Sequence, residues 1–300
     1  MAKILISGGS GLIGKAITKK LLALGHIVVW TGRKSGHWEK VKIYQADWRK
    51  GQLEAGVMEG VTHFILLAGA GVMDARWTAA YKEEILLSRV KTIELLAAEC
   101  QRSGNWPEVL VGASATGLYG TGKSEDVITE NTKAASDYLG TVCQQWEAAY
   151  QAFPASVRLV KPRISIVLSK DGGAFVPLAG LCRWHISAQS GNGKQYLPWI
   201  HLEDLSDFFI RALFEKQFHG PYNMVAPEIV TNARFAAELG RQLGRGIWTP
   251  AAPAFMLRLI LGERAVTLTS GLKISSSRLA DSGFKFKYPH LKAALENLCH

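Results

Sequence analysis

The chain opens with a short apolar run, Lys3-Ile4-Leu5-Ile6-Ser7, that breaks directly into Gly8-Gly9-Ser10-Gly11-Leu12-Ile13-Gly14 and then into a helical pattern. No other stretch constrains the fold as tightly. Gly8, Gly11 and Gly14 follow the GxxGxxG spacing. Glycine is needed there because a Cβ would block the tight turn, the approach of backbone N–H groups to a pyrophosphate, and the close packing of helix on sheet. The unpaired N–H groups and the dipole at the start of the helix then favour a bound phosphate, with Leu12 and Ile13 supplying amides beside the glycines. Leu12, Ile13, Ala16, Ile17, Leu21, Leu22 and Leu24 recur at helical spacing and stop at Gly25, a C-terminal cap. A second strand follows at the distance a dinucleotide-binding unit requires. Gly9-x4-Gly14-Lys15 also fits most of a P-loop, but Ala16 stands where a Mg²⁺ ligand would have to be Ser or Thr.

Residues 3–6, 27–31, 41–45, 62–68 and 108–113 are short β-branched or aliphatic runs, and helical patterns separate several of them, one through Ile85, Val90, Ile93, Leu95 and Leu96. That alternation predicts an α/β fold, a doubly wound parallel sheet with helices on both faces. After about residue 168 the pattern becomes irregular, with glycine-rich loops at Gly172-Gly173 and Gly191 to Gly193. The organisation expected is a dinucleotide-binding domain over 1–168, rejoined by 199–216, and a smaller C-terminal α+β substrate lobe over 169–300.

Composition narrows the class. With 300 residues, 48 % hydrophobic and 20 % charged, the chain can bury a large core, which excludes disorder as the main state. The longest apolar run, Phe64 to Met73, contains two glycines and falls short of a bilayer span, so no membrane association is expected. The start is too poor in apolar residues for a signal peptide, which points to the cytoplasm. Cys100, Cys143, Cys182 and Cys299 form no CxxC pair, so the reading is reduced thiols and no metal. A net charge of +10 attracts anions in general, but the cations are scattered in short groups and no nucleic-acid motif accompanies them, so a nucleic-acid partner is not expected.

After the second strand the chain reads Thr31-Gly32-Arg33-Lys34, with no carboxylate to hold ribose hydroxyls and with two cations. Arg offers planar donors that match a 2′-phosphate, so NADP(H) is favoured over NAD(H). Asp47, after the third strand, stands either near the adenine or as the cap of its own loop.

These residues, with Leu67-Ala68-Gly69 and Ser114-x4-Tyr119-Gly120, resemble the extended short-chain dehydrogenase/reductase superfamily of the NAD(P)-dependent epimerase/dehydratase type. A narrower likeness, to the uncharacterised "epimerase family protein" branch, covers nearly the whole chain. It rests on Arg76-Trp77, Ser88-Arg89, Ser114-Ala115-Thr116-Gly117-x-Tyr119-Gly120, Trp146-Glu147, Arg163, Gly191-x-Gly193-x-Gln195, Trp199-Ile200-His201-x-x-Asp204 and Gly220-x-x-Asn223. It extends to that branch's C-terminal domain of unknown function, here near 249–296. The resemblance implies a Rossmann fold, a nicotinamide cofactor bound in part through Leu67, Ala68, Gly69 and Arg89, sugar nucleotide as the substrate analogy, and a homodimer as one assembly seen among relatives.

The superfamily carries Tyr-x-x-x-Lys on a helix, where positions i and i+4 share a face. Literal matches at Tyr119/Lys123 and Tyr288/Lys292 are misplaced. The first is interrupted by Gly120 and Gly122, and the second starts Tyr288-Pro289, ahead of its helix. The helix that should hold the pair is 137–150, with Leu139 at the tyrosine position and Cys143 at the lysine position. Tyr138 is one residue early, on another face.

The remaining candidates for chemistry are Ser114, at the end of a central strand, Tyr119, as a phenol in the following loop, and Cys143, as a weak acid. Each has a packing role as its alternative. Arg76, Arg163 and Gln195 are candidates to grip a polar or anionic substrate. His201 either meets the substrate as a proton shuttle or joins the lobes, and Asp204 reads as a helix N-terminal anchor. The leading function is an NADP(H)-dependent oxidoreductase or epimerase-like enzyme acting on a carbonyl or alcohol of a small molecule. A catalytically silent NADP(H)-binding sensor, motivated by the missing dyad, is the alternative, with a nucleic-acid binder third.

Overall fold

A computed structural model describes residues 1–122, 125–245 and 251–300. Its first half alternates strands and helices: β1 (Lys3–Ser7), α1 (Leu12–Ala23), β2 (Ile27–Gly32), β3 (Gly36–Trp38), β4 (Val41–Asp47), β5 (Gln52–Leu53), β6 (His63–Leu66), α2 (Ala79–Ser103), β7 (Val109–Gly112), β8 (Ser114–Ala115) and α3 (Tyr138–Ala149). The second half holds β9 (Arg158–Ile164), β10 (Ile166–Ser169), β11 (Gly172–Gly173), α4 (Phe175–Arg183), β12 (Trp199–His201), α5 (Leu202–Phe214), β13 (Gly220–Met224) and α6 (Asn232–Gln242). It ends in α7 (Ala254–Leu261), α8 (Val266–Thr269), α9 (Ser277–Asp281) and α10 (Leu291–Cys299).

The main sheet runs β13-β9-β7-β6-β1-β2-β4-β3, and the pairings from β13 to β4 are parallel. Both faces are covered, which is why its strands are near-continuous apolar runs. Successive side chains alternate between the two cores. Ile4, Ile6, Val28 and Trp30 pack with Ile17 and Leu21 of α1 and Phe208 and Phe209 of α5. Leu5, Val29, Phe64 and Leu66 pack with Ile93 and Leu96 of α2 and Trp146 of α3. This is the doubly wound arrangement expected of the sequence. The α1 helix ends where expected, with Gly25 at φ 79°, a conformation that favours glycine.

A third core gathers Leu168, Phe175, Trp199, Phe235, Leu239 and Leu295 around the small sheet β11-β10-β12. The segments interleave: α5 packs on α1, and β13 adds to the edge of the main sheet beside β9. The return to the sheet therefore extends past residue 216 to Met224. Among the described residues, no helix is long and apolar enough to cross a membrane. The four cysteines are free thiols.

Candidate functional site

The loop between β1 and α1 is held by contacts that only glycine permits. A Cβ on Gly8 would stand 2.9 Å from the Ala68 nitrogen, one on Gly14 would stand 2.6 Å from the Gly8 oxygen, and one on Gly9 would overlap the Trp30 ring. Gly8 adopts φ 76°. Gly11 is different, because a Cβ there would meet only the Gly8 oxygen, at 3.3 Å. Gly11 is also the N-cap of α1, no side chain caps that helix, and no acid occupies its first turn. The first α1 amide bonded within the helix is Lys15 N–H to Gly11 O, at 2.9 Å, so helix geometry leaves the Leu12, Ile13 and Gly14 amides for a ligand. The observed arrangement fits the diphosphate of a dinucleotide.

The flanks are consistent with that use. Gly32 ends β2 and Arg33 is exposed just beyond it, its carbonyl accepting from Gln45 Nε2 at 3.3 Å. Asp47 spends its Oδ1 on the Arg49 and Lys50 amides, so it closes its own turn at the end of β4. Leu67 and Ala68 lie against Gly8, and a Cβ on Gly69 would stand 2.8 Å from the Arg89 guanidinium carbon. Arg89 donates to the Ala70 and Ile85 carbonyls at 2.9 and 2.7 Å and lies 4.8 Å over the Trp146 ring. The second lobe reaches this region through β11, where Gly172 and Gly173 face Leu12.

Beyond the strand ends, a cavity of about 250 Å³ lies between the sheet, α3 and the second lobe. Arg89, Thr116, Cys143, Gln195 and Leu268 are among its lining residues. Gln195 turns its Nε2 onto the Ser190 and Leu268 carbonyls at 2.9 and 3.1 Å, which fixes its side chain in the wall. Burial pushes the Cys143 thiol up to about 12, so it stays protonated and packs.

Two of the three proposed catalytic residues point elsewhere. Ser114 is buried and donates to Glu147 Oε1 at 2.8 Å. Tyr119 is buried, donating to Asn223 Oδ1 at 2.6 Å and accepting from Arg163 Nη1 at 2.8 Å. Burial pushes its phenol up even with Arg163 alongside. Neither residue lines the cavity. Arg163, expected to grip substrate, instead clamps Glu147 through Nε and Nη2 at 2.8 and 3.1 Å and donates to the Glu130 carbonyl. Lys161 stands 3.1 Å from the same carboxylate. Burial alone would raise the Glu147 pKa, but Arg163 and Lys161 hold it below the usual carboxylate range. Glu130 completes the network by accepting from the Asn223 amide at 2.8 Å.

Arg76 is exposed, 3.5 Å from the Ile260 carbonyl at the end of α7. His201 is buried as the N-cap of α5, accepting from the Glu203 amide, with its ring 4.0 Å from that of Tyr288. It therefore joins lobes rather than meeting substrate. Asp204 is not the helix cap; its two oxygens accept from the Lys287 and Tyr288 amides at 2.6 and 3.0 Å.

The helix expected to hold the dyad spans 138–149 with Asp137 as its cap, and Leu139 and Cys143 both border the cavity. Tyr138 turns away, donating to the Lys82 carbonyl at 3.0 Å. Tyr119 ends a short 3-10 turn, Lys123 lies outside the described residues, and Tyr288 precedes α10. Glu147, Glu130, Asn223 and Thr116 had no assigned role from sequence. Three of them stand inside quoted motifs, but only their long-range partners reveal what they do.

The family model described as "NAD dependent epimerase/dehydratase family" matches residues 4–225, and a "domain of unknown function (DUF1731)" matches 252–298. The chain is 32 % identical to the chloroplastic epimerase family protein SDR39U1 homolog of Arabidopsis thaliana, over 97 % of this chain and 84 % of that protein. The crystal structure of human epimerase family protein SDR39U1 (isoform2) with NADPH superposes with a TM-score of 0.89 at 30 % identity, covering 99 % of both chains. A nucleoside-diphosphate sugar epimerase from Corynebacterium glutamicum gives a TM-score of 0.80 at 26 % identity, over 99 % of this chain and 58 % of that one.

Proposed function

The chain belongs to the NAD-dependent epimerase/dehydratase family, and from that premise we propose that it binds NADP(H) and acts as an oxidoreductase or epimerase-like enzyme on a carbonyl or alcohol in the adjoining cavity. The observation that carries the reading is the uncapped start of α1, with its three free amides set in a loop whose glycines leave room for a diphosphate. Preference for the phosphorylated cofactor rests on exposed Arg33 at the end of β2 and on the NADPH in the human relative's crystal structure.

The Leu12, Ile13 and Gly14 amides would hold the diphosphate, Arg33 the adenosine 2′-phosphate, and the 67–69 loop would run along the other half of the dinucleotide. When bound, the cofactor supplies a hydride to a carbonyl carbon, whose oxygen takes a proton to become the alcohol while NADPH becomes NADP⁺; the reverse oxidises the alcohol. Thr116 lines the cavity wall with its hydroxyl donating to the Ile164 carbonyl at 3.4 Å, which leaves its oxygen to accept from a substrate hydroxyl. The Ser114, Glu147, Arg163 and Tyr119 network holds the strand ends and α3 in register beneath it.

A second reading, NADP(H) binding without turnover, is favoured by one observation: Leu139 and Cys143 occupy the dyad positions, while the Tyr119 and Tyr138 phenols are bonded elsewhere. Fluorescence titration with NADPH and NADH, followed by a turnover screen over carbonyl compounds and nucleotide sugars, separates the two. Binding with turnover of any member supports the enzyme. Binding without turnover across the screen assigns the sensor, and binding of neither cofactor ends both readings.

A further inference from the structure

We propose that the cavity beside α3 takes a small apolar carbonyl or alcohol rather than a nucleotide-linked sugar. The inference rests on the NADP(H)-dependent reading and names the substrate class for that site. Its first support is the wall. Leu139, Val142, Ile166, Leu178, Leu268 and Leu272 contribute aliphatic side chains from α3, β10, α4 and the C-terminal segment. A sugar ring buried against them would leave hydroxyls without partners, at a free-energy cost for each that a hydrocarbon body avoids.

The second support is charge. A nucleoside diphosphate needs cations or several convergent donors. Arg89 is the one Lys or Arg among the described lining residues, and it is committed to two backbone carbonyls and the Trp146 face. Arg163 is spent on Glu147, Tyr119 and Glu130, and Arg76 sits outside against α7. The α3 N-terminus is closed by the Asp137 carboxylate, which accepts from Gly140 N and would repel a phosphate. The α4 helix opens at Ala174 with amide dipoles and no cation.

Size is the third support. A volume of about 250 Å³ lies below the ~300 to 1,000 Å³ of sites that enclose drug-sized ligands. The hydroxyl and amide side chains of the wall are mostly turned onto the protein itself: Thr116 toward the Ile164 carbonyl at 3.4 Å, Thr121 onto Asp137, Tyr196 onto Glu125, Thr267 and Ser270 onto the Arg264 and Val266 carbonyls, and Gln195 onto those of Ser190 and Leu268. A largely aliphatic wall whose polar side chains are mostly engaged within the protein matches a ligand with one carbonyl or hydroxyl on an apolar body.

Isothermal titration with cinnamaldehyde, 2-octanone and UDP-glucose tests the assignment, each run with and without saturating NADPH, so that cavity preference is read separately from cofactor binding. Expected is binding of cinnamaldehyde or 2-octanone with a negative heat-capacity change, and none of UDP-glucose. Leu178→Trp, which fills the chamber, should weaken that binding about tenfold while leaving NADPH affinity unchanged. Should Leu178→Trp fail to fold, competition of the two carbonyl probes for one site on the unaltered protein replaces it. Binding of UDP-glucose in place of the apolar probes overturns the proposal, as does binding of none of the three. Failure of NADPH to bind overturns the functional reading instead.

Discussion

Gly11 and Gly14 stand one helical turn apart in the same loop and answer to different demands. A Cβ on Gly14 would press on backbone atoms of Gly8 and Gly9 that cannot rotate away, so Gly14→Ala should lower stability by about 1–3 kcal/mol in a denaturant titration. Gly11 meets only one oxygen, at 3.3 Å, so Gly11→Ala should melt like the parent yet bind NADPH at least about tenfold more weakly. Equal stability losses for both would remove the argument that Gly11 is reserved for a ligand. At Arg33 the expectation is selective: Arg33→Ala weakens NADPH far more than NADH by fluorescence titration, and equal losses would refute the 2′-phosphate assignment. Glu147 is held ionised between Arg163 and Lys161, so Glu147→Gln leaves a buried guanidinium without its partner and should cost about 3–5 kcal/mol. Because the Glu147 pKa is lowered on folding, its contribution is present above the unfolded carboxylate pKa and lost as pH falls through the folded value. Acid denaturation of the variant, compared with the parent, checks both parts. The glycines were legible in the sequence because their demands are local. The roles of Ser114, Tyr119 and Arg163 were not, because Tyr119 finds Asn223 and Ser114 finds Glu147 only once the sheet and α3 are assembled.

The same division holds for elements. The β1, β2, β4, β6 and β7 strands and the α1 and α2 helices could be read from apolar runs and periodicity, since burial on both sheet faces makes each strand nearly uniformly apolar, whereas α3 was placed by the family resemblance. The short β13 strand, Gly220–Met224, carries Pro221, weak evidence for a strand, and pairs with β9 at the sheet edge, where proline is tolerated. Asp204 looked like a helix cap because an acid near a helix start is ordinarily one, yet His201 takes that position and Asp204 reaches residues 287 and 288 instead. The tie has a consequence for the C-terminal segment. Asp204→Ala leaves two amides without their acceptor, which should destabilise the protein by about 1–3 kcal/mol. Hydrogen exchange should rise first over residues 285–299, and uniform loss of protection along the chain would count against a local clip.

At the scale of the molecule, His201 sits where the small sheet ends, α5 begins and the C-terminal segment folds back, its ring against Tyr288. Burial pulls its pKa down to about 4, so it is neutral across the ordinary range. The unfolded chain takes up a proton near pH 6.5, the folded chain only near 4. Between those values the unfolded state binds more protons, so stability falls as pH falls through that window and this group's contribution is complete above it. The loss is on the order of 3 kcal/mol, enough to show against a typical total of ~5–15 kcal/mol. His201→Gln keeps an acceptor for the Glu203 amide and removes the titration, so its stability should vary less between pH 6.5 and 4 than the parent's. Denaturant midpoints across that range measure the difference. A parent and variant with the same slope would mean that the lobe junction does not sense acid, and would leave the acid limb to groups such as Glu147, which Arg163 and Lys161 hold below the usual carboxylate range.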